Sequence, residues 1–128
     1  MISLAEMLPN RKDEIMSRTP KAGDDVPEGI RQELIEAIDS RNRAVSEDVR
    51  DRAFVYARHH LGMERPTLTA LWEYILDRLQ AGVRLRYARL DDYPFQWGYA
   101  MRKADGTKLY IKLMFDDQSR AVLLSFHD

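Results

Sequence analysis

The sequence predicts an α+β domain, with helices first and an antiparallel sheet of about four strands after them. Two observations carry this. Apolar residues recur every three or four positions as far as Gly82, and at every second position beyond it. The two patterns are segregated along the chain, which separates α+β from an alternating parallel fold. At 128 residues the length suits a single domain, with a helical part over 1–82 and a sheet part over 83–128.

The helical elements follow in order. "SLAEML" reads as a short helical turn ended by Pro9, and "PNRKDEIMSR" as a further turn. "TPKAGDDVPEG" is loop-like in every residue type. From Pro27, "PEGIRQELIEAIDSR" spaces Ile30, Leu34 and Ile38 four apart with Ile35 beside them, the stripe of an amphipathic helix. Ser46 is the expected N-cap of "EDVRDRAFVYARHHL", with Val49, Ala53, Tyr56, Ala57 and His60 inward and Gly62 as the stop. Past Pro66, "TLTALWEYILDRLQAG" presents Leu68, Leu71, Trp72, Ile75 and Leu79 on one face. This helix around Trp72 is the expected cover of the sheet.

The strands alternate. "VRLRYAR" sets Val83, Leu85 and Tyr87 against Arg84 and Arg86, and "PFQWGYAMRK" sets Phe95, Trp97, Tyr99 and Met101 against Gln96, Gly98, Ala100 and Arg102. "KLYIKLMF" sets Leu109, Ile111, Leu113 and Phe115 against Lys108, Tyr110, Lys112 and Met114. "AVLLSFHD" sets Val122, Leu124 and Phe126 against Leu123, Ser125 and His127. Such alternation implies one face on a core and one open. A three-residue loop at Ala104, Asp105 and Gly106 keeps like faces together, placing Met101 opposite Leu109 and Tyr99 opposite Ile111, so that Ala100 faces Tyr110 and Gly98 faces Lys112. Across "FDDQSRAV" the expected pairs are Phe115 with Val122, Leu113 with Leu124, Ile111 with Phe126, Lys112 with Ser125 and Tyr110 with His127.

The formal net charge of -1 hides an uneven distribution: from Val83 to Leu113 there are seven basic and three acidic residues. A polyanionic partner is therefore expected at the C-terminal half. There are no cysteines, which excludes disulfides and thiolate metal sites. No apolar run approaches a membrane span, and Glu6 interrupts what a leader would need, so a cytoplasmic location is expected. Asp24-Asp25, Asp91-Asp92 and Asp116-Asp117 fall where turns belong, and His59-His60 point apart on a helix, so no metal or other cofactor is expected. Phosphate-loop, dinucleotide, zinc and nucleophile-elbow motifs are all missing.

What remains is the open face. Tyr110, Lys112, Ser125 and His127 share it with Gly98 and Ala100. Lys, Ser, Tyr and His are ordinary on any solvated sheet, but Gly is depleted in strands and often marks close approach by another group.

The pattern "W-x-Y-x-x-R … LYIKL … VLLSFH" resembles the C-terminal sheet of bacterial toxin ribonucleases of the MqsR type, within the RelE-like group. The resemblance covers the last third of the chain. It implies a RelE-like fold, a metal-independent endoribonuclease acting on single-stranded mRNA, and a cognate antitoxin as partner. It makes Tyr110 and His127 the catalytic candidates and adds Arg86; the local positive charge makes Lys112 and Arg102 expected phosphate holders beside Arg86, with Arg84 and Gln96 as further RNA-binding candidates. Gly98 stands where that family has a glutamine, with Gln96 nearby, and His127 where it has a lysine. Two other functions fit the same sequence: a non-enzymatic antitoxin, immunity protein or adaptor, and a ParE-like toxin that acts on a protein target.

Overall fold

A computed structural model describes residues 19–93, 96–102 and 109–127. The two N-terminal turns, Phe95 and the loop at 104–106 lie outside them. In chain order the elements are α1 (Glu28–Asp39), β1 (Arg43–Val45), α2 (Glu47–His60), α3 (Leu68–Gln80), β2 (Arg86–Arg89), β3 (Trp97–Arg102), β4 (Tyr110–Phe115) and β5 (Ala121–His127). Among the described residues the fold is α+β, three helices and an open five-stranded sheet in the order β1-β5-β4-β3-β2.

The helices form where periodicity and capping agree. Ser46 caps α2 by accepting from Val49 N at 3.3 Å, and Thr67 caps α3 by accepting from Ala70 N at 3.0 Å. Gly62 and Gly82, with φ of 71° and 81°, take the left-handed conformation that ends the segments after α2 and α3. A long-range cap joins α1 to α3: Arg31 donates to Leu79 O at 2.9 Å and Val83 O at 2.7 Å, satisfying carbonyls at and just past the end of α3. Leu34 and Ile38 of α1, Ala53 and Ala57 of α2, and Leu71, Ile75 and Leu79 of α3 are buried together with Ile111, Leu113, Leu123 and Phe126 of the sheet. Leu68 and His60, expected on inward stripes, are exposed, although the His60 ring stacks 4.6 Å from Tyr56.

The sheet has one strand more than expected, and it is mixed. β1, three residues between two helices, pairs parallel with β5: Arg43 with Ala121, Ala44 with Val122, Val45 with Leu123. So short a strand leaves no alternation to read. β2 is shorter than "VRLRYAR", beginning only at Arg86.

Two registers differ from expectation. β3 and β4 pair Tyr99 with Leu113, Ala100 with Lys112, Met101 with Ile111 and Arg102 with Tyr110. That is a two-residue shift, which keeps every side chain on its expected face and changes only its neighbour. Between β4 and β5, Tyr110 with His127, Ile111 with Phe126 and Lys112 with Ser125 hold as expected. A bulge between Lys112 and Leu113 then pairs Leu113 with Leu123 and Phe115 with Ala121. The extra residue reverses the faces beyond it, so Ala121 and Leu123 are buried while Val122 and Leu124 are only half-buried.

Candidate functional site

The face of the sheet turned away from the helices divides into rows that run across the strands. One row is Arg86, Ala100, Lys112 and Ser125, each paired with the next. Adjacent strands lie roughly 4.8 Å apart, so the backbones of Arg86 and Lys112 are roughly 10 Å apart with only a methyl group between them. An anion resting on Ala100 is within reach of both long cationic side chains. Arg86 is exposed and Lys112 half-buried.

The next row, two residues along, is Arg102, Tyr110 and His127. The Arg102 guanidinium lies 5.0 Å from the centre of the Tyr110 ring, and the His127 ring lies 6.0 Å from it at a tilt of 42°. The phenol is thus flanked by a cation and an imidazole. Burial raises the Tyr110 pKa above its ordinary value, partly offset by the Arg102 charge. At neutral pH the group is therefore a phenol and a hydrogen-bond donor. His127 is exposed.

A groove of about 400 Å³ opens between these rows and the outer edge of β2. Arg84, Arg86, Ala100, Arg102 and Tyr110 line it, with Gly23 on its far rim. The five strand sequences, RAV, RYAR, WGYAMR, YIKLMF and AVLLSFH, contain no carboxylate. The field over this end of the sheet is correspondingly positive.

The candidate residues are not all brought together. Arg86, Arg102, Tyr110, Lys112 and His127 fall in the two adjacent rows, and of these Arg86, Arg102 and Tyr110 line the groove. Arg84 reaches the groove, but its Nε donates to the Asp25 carboxylate at 2.6 Å. Gln96 is exposed beside the opposite end of β3, six positions from Arg102 and so roughly 20 Å away along the strand. Gly98 does not leave room for a ligand. A Cβ there would lie 2.7 Å from Leu90 Cδ2, so the space belongs to the chain's own buried Leu90. Tyr87 and Tyr99, half-buried, belong to the opposite face, in a run of rings with Trp97 and Phe115 at 5.6 to 6.0 Å.

Sequence reasoning missed Asp25, whose partner is 59 positions away, and the pairing of Ala100 with Lys112. Among the described residues no group of three or more His, Cys, Asp or Glu is placed to hold a metal ion, and no helix is long and apolar enough to cross a membrane. Neither a known protein family, nor a curated protein, nor a solved structure matches this chain.

Proposed function

We propose that this face binds single-stranded RNA and cleaves it without a metal, as the toxin of a toxin-antitoxin pair of the MqsR and RelE kind. The observation that carries the reading is the adjacency of two rows: the Arg86–Ala100–Lys112 cradle beside Tyr110 and His127. Arg86 and Lys112 neutralise the scissile phosphate, and Arg102 supports the next one. The His127 imidazole takes the proton of the 2′-hydroxyl, and the 2′-oxygen attacks phosphorus. As the bond to the 5′-oxygen breaks, the Tyr110 phenol donates to that oxygen, leaving a 2′,3′-cyclic phosphate and a 5′-hydroxyl. Gln96 and Arg84 have no part in this step.

The test is cleavage of a mixed-sequence single-stranded RNA in EDTA. Wild type is expected to cut, and His127→Ala to lose activity by at least ~100-fold, the scale of general base catalysis, while RNA binding persists. Equal cleavage by both proteins removes His127 from the mechanism. Expression in growing cells separates the toxin from an immunity protein or adaptor, since only the former arrests growth.

A further inference from the structure

The far rim of the groove is Gly23, which begins a strap, residues 23–26, running antiparallel to β2. Val26 N donates to Leu85 O at 2.9 Å, Tyr87 N to Asp24 O at 2.8 Å, and Gly23 N to Tyr87 O at 2.9 Å. These bonds seat Asp25 in a bridge with Arg86. The strap's own turn is closed by Lys21 N, which donates to the Asp24 carboxylate at 2.9 Å. Asp25 is therefore positioned by backbone, and its carboxylate meets the Arg84 guanidinium at 2.6 Å. Arg84 lowers the Asp25 pKa, Arg86 acts in the same direction, and the group stays ionised.

We infer that Asp25 is a built-in anionic competitor, holding Arg84 until a ligand phosphate takes its place, and so sets which polyanions the groove retains. This rests on the RNA-binding reading of the same face. Both partners are well exposed, with relative side-chain areas of 61% for Arg84 and 66% for Asp25, so the pair exchanges readily. A phosphodiester carries the same unit charge as Asp25. Exchange at Arg84 alone gains nothing for a ligand with one phosphate. A strand that already has a phosphate between Arg86 and Lys112 presents the next one at high local concentration and displaces the carboxylate. The device thus favours a chain of phosphates over a mononucleotide.

The test is fluorescence anisotropy of a short labelled single-stranded RNA, at a series of salt concentrations. The proteins are wild type, Asp25→Asn, Arg84→Ala and the double variant. Asp25→Asn is expected to bind about three- to tenfold more tightly at low salt, with a salt slope steeper by about 0.7, because occupying Arg84 no longer frees a carboxylate that takes back a counterion. Asp25→Ser, which adds no amide donor, is expected to give the same gain. In the Arg84→Ala background the gain disappears. Wild-type binding that Asp25→Asn leaves unchanged, or a gain of equal size with and without Arg84, overturns this inference alone. No binding by any variant overturns the RNA-binding reading beneath it as well.

Discussion

Gly98 and Ala100 sit two positions apart on the same face of β3, both nearly inaccessible to solvent, and their surroundings have nothing in common. Above Gly98 the chain has folded its own Leu90 into the missing side chain's place, and Met114 on the neighbouring strand is buried too. Above Ala100 lies a groove with cations on both sides. A small residue in a strand signals that something approaches closely. Whether that something is a ligand or the protein itself depends on contacts made by residues far from it in sequence.

The contrast is sharpest in a pair of substitutions. Ala100→Leu projects an isobutyl group into the groove and is expected to weaken RNA binding by about tenfold or more, while folding stability stays within about 1 kcal/mol. Gly98→Val is expected to do the reverse. It expels Leu90 and lowers stability by about 1–3 kcal/mol, the cost of overpacking, with RNA affinity unchanged. Anisotropy and urea unfolding on both variants measure all four quantities. If both substitutions weaken binding alike, the two ends of the face are one surface, and the comparison fails.

The distinction between the faces also has a pH signature. Tyr99, on the side of the helices, has its pKa pushed up to about 12 by burial, with the Tyr87 and Glu33 charges adding to it. Its stabilising contribution is complete below the unfolded-state value near 10 and is lost as pH rises toward the folded value. Two units correspond to about 2.7 kcal/mol, and water at the ring edge reduces this to on the order of 1–2 kcal/mol. Urea unfolding from pH 9 to 12 is expected to show wild type losing that much more stability than Tyr99→Phe. Parallel curves for the two proteins place Tyr99 in water.

The extent to which this was legible in the sequence follows the range of the signals. The helices were legible because periodicity and caps are local: Ser46 caps α2 by a bond to Val49, three residues on. The faces of β2, β3 and β4 were legible for the same reason, since alternation assigns Tyr110, Lys112 and Arg102 to one side before any pairing is known. The β3 to β4 register was not, because a shift of two preserves parity and leaves hydrophobic patterning silent. That shift placed Ala100, rather than Gly98, beside Lys112. The β5 bulge broke the rule itself, turning Leu123 inward and Leu124 outward within an apolar run that reads equally well in either phase. β1 is too short to carry a pattern. Asp25 looked like turn chemistry and is the ion-pair partner of a groove residue, because Arg84 belongs to the other part of the chain.

RNA binding and cleavage both require that the cationic end of the open face receive the nucleic acid. Amide chemical shifts followed while a short single-stranded RNA is added report this position by position. The expected result is a contiguous set of shifted amides at Arg86, Ala100, Arg102, Tyr110, Lys112 and His127, with Gly98, Met114 and the three helices unmoved. Shifts gathered on the helices or around Gly98, or a spectrum that saturating RNA leaves unchanged, would contradict the account.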